Sequence, residues 1–261
     1  MIKLIKISKS FNGQKVLNEL DLDIDPEEIT VIIGQSGGGK SVLLKHIIGL
    51  IRPDSGQIII DGVDIANLND KKLTETRKKF GMLFQDAALF DSMTVGENVA
   101  FPLKEHTQLS GKEINKIVND KLNLVGLDNI THKMPSELSG GMRKRVGLAR
   151  AIALDPKIIL FDEPTTGLDP IMRDSIDRLI VSIQKRTKAT FVVISHDIES
   201  TFMIAHKIAM LYQGKIVAVG TPDEIRSSNN SFVRRFIKDL KAGVRDQGSG
   251  VSSQESGVRA C

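Results

Sequence analysis

The sequence has little of what a disulfide-bonded or membrane-spanning protein requires. It contains a single cysteine, Cys261, so no disulfide can form within the chain. No segment approaches the roughly 18 consecutive apolar residues of a membrane-spanning helix. Residues 1–10 alternate lysine with apolar side chains, unlike the core of a signal peptide. These absences predict a chain that stays inside a reducing compartment.

The sequence also lacks a strong excess of one charge. It has 36 Lys and Arg against 32 Asp and Glu, a net charge of +4 that is spread along the chain. Such a mild excess is compatible with a membrane surface or a nucleic acid as partner but does not distinguish between them.

Short apolar runs alternate with amphipathic segments. The runs predict strands, several of them continuous enough to be buried on both faces: IKLIKI, VLNELDLDI, ITVII, QIIIDG, FGMLF, KIILF, TFVVIS, IAMLY and KIVAVG. The helical patterns are KSVLLKHIIGL, NDKKLTETRKK, GKEINKIVNDKLNLVG, SGGMRKRVGLARAIAL and PIMRDSIDRLIVSIQKR. The alternation predicts an α/β fold with a mainly parallel sheet, closed by a hairpin at IAMLY-QG-KIVAVG.

Two segments depart from this alternation. Residues 86–153 lack a convincing strand pattern, which predicts a helical subdomain inserted into one domain of residues 1–240. Residues 241–261 are rich in Gly and Ser without an apolar period, which predicts a disordered tail. Before that tail, SFVRRFIKDL predicts an amphipathic helix whose apolar side favours packing on the domain over contact with a partner: Phe232, Val233, Phe236 and Ile237.

The stretch GQSGGGKS, from Gly34 to Ser41, lies between the run ITVII and a helical pattern, which is the context of a P-loop. Its glycines allow the backbone to curl so that N–H groups point at phosphate oxygens, and the following helix adds its positive end. Lys40 is expected to neutralise β/γ-phosphate charge, and the Ser41 hydroxyl to ligate Mg²⁺. The context disfavours an ordinary glycine-rich turn and predicts a site for ATP and Mg²⁺.

An acidic pair ends the apolar run KIILF. We expect Asp162 to hold Mg²⁺ through its hydration shell and Glu163 to position and polarise the attacking water. Acidic residues often end strands, so the pair alone is only moderately specific. Combined with the P-loop, it predicts hydrolysis of the nucleotide.

Between these two motifs lies PSELSGGMRKRVGLARAIALDP. Its LSGGM, Leu138 to Met142, resembles the signature LSGGQ of the ATP-binding cassette (ABC) family, with Met142 in place of Gln. Small residues, backbone donors and a helix start suit a γ-phosphate, although an isolated Ser-Gly-Gly would indicate only a helix N-cap.

Other motifs of that family follow in register across residues 1–240. Gln85 in GMLFQD resembles the Q-loop, the segment 167–169 resembles the D-loop, and His196 in VVISHD resembles the switch histidine. Phe11 in KSFNGQKVL resembles the aromatic residue that stacks on adenine. Without the resemblance, Phe11 would be interpreted as a core residue and His196 as an ordinary strand-end histidine.

The resemblance implies a P-loop NTPase (RecA-like) core with a mainly parallel sheet, an N-terminal antiparallel β subdomain and an inserted α-helical signature subdomain. It implies catalytic roles for Glu163, His196, Gln85 and Lys40, and metal contacts for Ser41, Gln85 and Asp162. The implied nucleotide-binding residues are Phe11, Gly34, Gln35, Ser36, Gly37, Gly38, Gly39, Lys40, Ser41, Val42, Ser139, Gly140, Gly141 and Asp169. Val42 replaces a threonine that is common in the family. Neither it nor Met142 changes the residues expected to hydrolyse ATP.

The resemblance also implies partners. The signature of one subunit closes on the nucleotide held by the P-loop of a second copy, so that ATP clamps a homodimer with two composite sites. The segment DAALFDSMTVGENVAFPLKEHTQLS lies where ABC subunits receive a helix of a membrane permease. Apolar residues there could form a groove for that helix or could be subdomain core: Ala87, Ala88, Leu89, Phe90, Met93, Val95, Val99, Phe101 and Leu103.

The segment GMLFQDAALFDSMTVGENVAFPL, together with LSGGM, resembles the Mla/Mce branch of the family, whose cassettes energise lipid movement between membranes. This resemblance implies a permease, an MCE-type lipid-binding protein and a STAS-type accessory subunit, with the chain peripheral at the cytoplasmic face of the inner membrane. The segment PTTGLDP is the sequence common to ABC cassettes in general and does not single out this branch. A transporter of another solute is therefore an alternative.

Other classes fit less well. An ABC ATPase acting on nucleic acid or the ribosome normally has two cassettes in one chain, a zinc insertion or a long coiled coil, and the sequence shows none of these. The basic residues Arg143, Lys144, Arg145 and Arg150 are explained by solvation and ATP electrostatics, so no nucleic-acid partner is expected. A metabolic P-loop kinase would not require LSGGM.

Overall fold

The computed structural model describes residues 1–246. Its ten strands are β1 Ile2–Phe11, β2 Gln14–Ile24, β3 Ile29–Gly34, β4 Ser55–Ile60, β5 Val63–Asp64, β6 Phe80–Leu83, β7 Ile158–Asp162, β8 Thr190–Ser195, β9 Lys207–Tyr212 and β10 Lys215–Gly220. The nine α-helices of the described residues are α1 Lys40–Ile47, α2 Asp70–Arg77, α3 Val95–His106, α4 Gly111–Leu124, α5 Gly140–Ala151, α6 Pro170–Thr187, α7 Ile198–Ile204, α8 Pro222–Ser227 and α9 Ser231–Asp246.

The larger sheet has the strand order β10-β9-β3-β8-β7-β6. Strands β9, β3, β8, β7 and β6 run parallel to one another, and the edge strand β10 pairs antiparallel with β9. The predicted parallel sheet and closing hairpin are therefore confirmed. This order also places β3, β8, β7 and β6 side by side, with their carboxyl ends at one edge.

The central strands are apolar throughout because both faces of this sheet are covered. In β3, Ile29, Val31 and Ile33 face the core shared with the helical region, whereas Ile32 faces the core beneath the smaller sheet. Neighbouring side chains of a strand point to opposite faces, so a continuous apolar run is the pattern that such a strand needs.

The smaller sheet is antiparallel, with the order β2-β1-β4-β5. It confirms the expected N-terminal antiparallel β subdomain. Strand β5 and the helices α3, α7 and α8 have no individual counterpart among the predicted elements. These are short or, in α3, interrupted by Pro102, and they give weak periodic signals.

Residues 86–153, the region predicted as an inserted helical subdomain, lie between β6 and β7 and contain α3, α4 and α5. Helix α9 extends to Asp246 and so passes the predicted start of a disordered tail at Lys241. Residues 247–261, the rest of that predicted tail, lie outside the described residues. In the first turns of α9, Val233 and Phe236 are buried, and Phe232 packs on Tyr212 with ring centroids 4.7 Å apart. The expected packing of this helix on the domain is confirmed.

Within residues 1–246, no helix is both long enough and apolar enough to cross a membrane.

Candidate nucleotide site

Four parts of the predicted site lie at one edge of the larger sheet. The P-loop follows β3, His196 follows β8, Asp162 ends β7, and Gln85 lies just beyond β6. Because these four strands are parallel neighbours, the topology brings together residues that are far apart in the sequence. The edge at the carboxyl ends of the strands is also where ligands bind in open α/β sheets.

Three glycines of the P-loop occupy positions that disfavour a side chain. Gly37 and Gly39 have φ values of +73° and +96°. A Cβ at Gly34 would lie 2.5 Å from the carbonyl oxygen of Leu211 on β9. The loop tip at Gln35 and Ser36 is exposed, and the Gly38 amide closes a turn by donating to the Gln35 carbonyl at 3.0 Å. The result is a tight backbone curl that opens directly into α1, as an anion-binding loop requires.

The Lys40 side chain folds back over this curl. Its Nζ donates to the carbonyl oxygens of Gly34 at 2.9 Å and Gln35 at 3.0 Å. Burial lowers the pKa of Lys40, although the carboxylates of Glu163 and Asp162 act to raise it. A buried ammonium group held only by neutral carbonyls is poised to exchange them for phosphate oxygens, which carry full charge.

Ser41 and Asp162 meet across the site. The Ser41 hydroxyl donates to Asp162 Oδ1 at 3.1 Å, and burial raises the pKa of Asp162 against the effect of this hydrogen bond. A hydroxyl and one carboxylate are the oxygen donors that Mg²⁺ takes from a protein when phosphates and water complete its shell. Among the described residues no group of three or more His, Cys, Asp or Glu side chains could hold a metal by itself. These residues therefore fit a metal that arrives with a nucleotide.

Glu163 has a constrained backbone and a hydrogen-bonded carboxylate. Its φ is +54°, and its amide donates to the Ile194 carbonyl of β8 at 3.0 Å. Its Oε2 accepts hydrogen bonds from Thr166 Oγ1 at 2.8 Å and from His196 Nδ1. Burial would raise the pKa of Glu163, but these hydrogen bonds prevail and lower it; the same contact raises the pKa of His196. A strained backbone at a candidate catalytic carboxylate is typical of functional sites.

Lys144 is a site residue that the sequence pattern did not identify. The sequence predicts a solvated basic residue, yet Lys144 is buried, and its Nζ donates to the Gln85 carbonyl and lies 3.5 Å from the Glu163 carbonyl. Arg145 and Arg150 of the same group also bond protein carbonyl oxygens. The Gln85 side chain is exposed, and no hydrogen bond within residues 1–246 joins it to Ser41 or Asp162. Gln85 therefore reaches the site through its backbone in this conformation.

The signature residues form a helix start. Ser139 is the N-cap of α5, with its Oγ accepting from the Met142 amide at 3.3 Å. A Cβ at Gly141 would lie 1.8 Å from Met172 Cε, so the glycine permits close packing against α6, and Gly140 is exposed. Within the described part of the chain, no hydrogen bond or ion pair joins Gly34–Ser41 to Leu138–Met142.

Three further predicted residues lie on separate elements, β1, α1 and the start of α6. Asp169 is the N-cap of α6 and accepts from the amides of Ile171 and Met172 at 3.0 and 2.9 Å. Phe11 ends β1 with 41% of its surface exposed, which rejects the alternative of a core residue. Val42 is half-buried and packs against the core beneath the smaller sheet.

Residues 17–166, more than half of the chain, match the sequence profile of the ABC transporter family. The chain belongs to the ABC transporter family. As a member of it, the chain is an ATPase of the type that is coupled to transport.

Relatives agree over nearly the whole chain. It is 44% identical over 242 residues to the probable ribonucleotide transport ATP-binding protein mkl of Mycobacterium leprae. The aligned region covers 93% of this chain and 70% of the relative. It is 45% identical over 232 residues to the intermembrane phospholipid transport system ATP-binding protein MlaF of Haemophilus influenzae, covering 88% of each chain.

A solved structure of the ATP-binding cassette MJ0796, a dimer in a post-hydrolysis state bound to ADP and Pi, matches with a TM-score of 0.79. The two proteins are 33% identical, and the match covers 85% of this chain and 99% of MJ0796.

Proposed function

We propose that this chain is the ATP-hydrolysing subunit of a transport system that moves phospholipids or related lipids across the cell envelope. The observation that carries the lipid assignment is the 45% identity to the phospholipid transport protein MlaF over 88% of both chains. The resemblance to the Mla/Mce branch around Gln85 and LSGGM supports the same assignment.

Hydrolysis follows from the charges at the sheet edge. The lowered pKa of Glu163 keeps its carboxylate ionised at neutral pH, so that it can orient and polarise a water molecule toward the γ-phosphate. His196 contacts that carboxylate, which raises the pKa of His196 and favours the protonated imidazole; in that form its positive charge can stabilise phosphate oxygens. Lys40 binds the β- and γ-phosphates in place of its two carbonyl partners.

Ser41 and Asp162 would hold Mg²⁺, and Gln85 would join them after its side chain turns inward. When bound, Mg²⁺ neutralises phosphate charge. The remaining nucleotide contacts come from the P-loop backbone and from Phe11, whose exposed ring can stack on adenine.

The composite site needs a second copy of the chain. Within one subunit the signature is not bonded to the P-loop, and the start of α5 at Ser139 and Gly140 is exposed. Exposed backbone donors at a helix start favour an anion, so we expect them to cover the γ-phosphate held by the other subunit. The dimeric structure of MJ0796 supports this arrangement.

An apolar cavity of about 280 Å³ is a candidate docking surface for the permease. Phe84 and Phe90 line it with 40% and 41% of their surfaces exposed. Seven of the nine residues predicted as groove or core divide between these two roles: Ala87, Val95, Val99 and Leu103 are core, whereas Ala88, Phe90 and Phe101 line the cavity. Leu89 and Met93 are half-buried and do not line the cavity. An apolar helix of a permease fits this surface, which would hold the chain at the cytoplasmic face of the inner membrane.

Two further partners are proposed from the branch resemblance, an MCE-type lipid-binding protein and a STAS-type accessory subunit.

A second candidate function is transport of a different solute, because the chain is 44% identical to the ribonucleotide transport protein mkl over 93% of its length.

The deciding experiment is mass spectrometry of proteins and lipids that co-purify with tagged Glu163→Gln protein from detergent-solubilised membranes. A multi-spanning permease together with an MCE-type protein and bound phospholipid is the expected result. A permease with a soluble solute-binding protein would keep the ABC motor and reject the lipid. Recovery of ribosomes or DNA-repair factors alone would reject transport.

A further inference from the structure

Helix α5 turns one face toward the segment Phe84–Ala88, which follows β6. The face consists of Lys144, Gly147 and Arg150, spaced three residues apart, so that they lie along one side of the helix. Each of the three contacts this segment in a different way.

The two cations of the face bond three carbonyl oxygens of the segment. Lys144 Nζ donates to the carbonyl of Gln85. The guanidinium of Arg150 donates to the carbonyls of Ala87 at 2.7 Å and Ala88 at 2.9 Å. Cation-to-carbonyl hydrogen bonds are stronger than neutral ones, and the planar fork of Arg150 fits two adjacent acceptors.

The acceptors are in strained conformations. Ala87 and Ala88 have φ values of +60° and +47°, in the left-handed region that disfavours a side chain with a Cβ. Two successive alanines there need outside contacts to hold them. Arg150 supplies those contacts, and Gly147 allows the helix to come close enough, because a Cβ at position 147 would lie 2.8 Å from Leu83 Cδ1 and 3.0 Å from Ala87 Cβ.

The same contacts connect three parts of the molecule. Helix α5 begins directly after its N-cap, the signature residue Ser139. Lys144 also approaches the carbonyl of Glu163, and Arg150 lies 5.7 Å from the Phe90 ring that lines the apolar cavity. These contacts join α5 directly to Gln85 and to the cavity, so a movement of α5 on closure of two subunits would reach both.

We propose that Lys144, Gly147 and Arg150 are positioning residues that clamp the Phe84–Ala88 segment to α5 and thereby place Gln85 for hydrolysis. The proposal rests on the proposed function for the role of Gln85, but the clamp itself can be measured without nucleotide.

The first test is hydrogen–deuterium exchange of the nucleotide-free chain, resolved to single amides. The Ala87 amide, which donates to the Phe84 carbonyl at 2.9 Å, reports on the clamped turn. The Phe90 amide, which is held from α3 by Asn98 Oδ1 at 2.8 Å, serves as the internal reference. We expect Lys144→Met, Arg150→Met and Gly147→Ala each to accelerate exchange at Ala87 about tenfold or more. The control Lys116→Met, at an exposed lysine of α4, should leave that rate unchanged.

The second test is steady-state ATP hydrolysis by the same variants. Because a displaced Gln85 affects the reacting geometry more than nucleotide affinity, kcat should fall about tenfold or more while KM changes less than about twofold. Lys144→Arg keeps a charged donor, so it should have most of the kcat of the parent chain that Lys144→Met loses. Gly147→Ala tests the clamp with every charge in place.

Unchanged Ala87 exchange in all three variants would overturn the clamp. Faster exchange with kcat unaffected would reject the link from the clamp to hydrolysis. A parent chain that does not hydrolyse ATP would instead count against the proposed function, and the exchange rates would still decide on the clamp.

Discussion

Lys40 is the side chain on which nucleotide binding depends most. Its ammonium is buried against two backbone carbonyls and is the cation closest to where the P-loop would place phosphates. We expect Lys40→Ala to lose ATP binding by calorimetry and to abolish phosphate release, because nothing else at that position neutralises the phosphates. Lys71→Ala, at an exposed lysine of α2, is the matched control. Near-parental turnover by Lys40→Ala would refute the P-loop assignment.

The contact between His196 and Glu163 has a measurable effect on charge. The hydrogen bond to Glu163 raises the pKa of His196 despite partial burial, so its stabilising contribution is complete below the unfolded pKa near 6.5 and is lost as the pH rises through the higher folded pKa. We expect Glu163→Gln to lower the midpoint of the His196 ring titration followed by NMR. The control Glu199→Gln removes an exposed carboxylate at the start of α7 and should leave the midpoint in place. An identical midpoint in Glu163→Gln and the parent would contradict the contact.

At the scale of secondary-structure elements, α6 holds the start of α7 through an ionic and hydrogen-bonded group. Arg173 pairs with Asp197, which caps α7 by accepting from the Ser200 amide at 3.1 Å, and Ser200 Oγ donates to Asp177 Oδ1 at 2.7 Å. Since Asp197 directly follows His196, this group fixes the position of the histidine relative to α6.

Asp177 in this group predicts a pH-dependent stability. Burial raises its pKa to about 6, so the folded state binds the proton more tightly than the unfolded state, and stability decreases as the pH rises from about 4 to above 6. Asp177→Asn keeps the acceptor for Ser200 but removes the charge. Between pH 4.5 and 7.5 the variant should gain about 2 kcal/mol in free energy of unfolding relative to the parent, measured by urea denaturation. If the free energies of unfolding of the two proteins differed by the same amount at both pH values, the raised pKa of Asp177 would be contradicted.

At the scale of the whole molecule, hydrolysis should control association. Glu163→Gln removes the carboxylate expected to polarise water, so bound ATP should persist and hold two subunits together. Sedimentation of this variant with ATP and Mg²⁺ should give a dimer that dissociates when the nucleotide is removed. The double variant with Lys40→Ala should stay monomeric because it cannot bind ATP. Only monomer for Glu163→Gln with ATP and Mg²⁺ would count against the composite site.

Much of the fold could be predicted from the sequence because its strands and its P-loop are determined by residues that are close together along the chain. Continuous apolar runs such as ITVII predict strands covered on both faces, and the P-loop is recognisable because its conformation requires glycine at fixed positions. The elements without a predicted counterpart are those with weak local signals. Strand β5 has two residues, and α3 contains Pro102 yet is held by a capping box between Thr94 and Glu97.

The sequence by itself determined the α/β alternation, the phosphate-binding loop and the identity of the acidic pair, since each depends on residues that are adjacent along the chain. Only the tertiary structure decided which side chains complete the site. His196 lies 33 residues from Glu163, and the two meet because the parallel neighbours β8 and β7 end at the same edge. Lys144 lies 59 residues from Gln85 and reaches it from α5, which packs against β6. Packing of α5 buries Lys144 and directs its ammonium to the Gln85 carbonyl, and no pattern of charges along the chain distinguishes this residue from a solvated lysine.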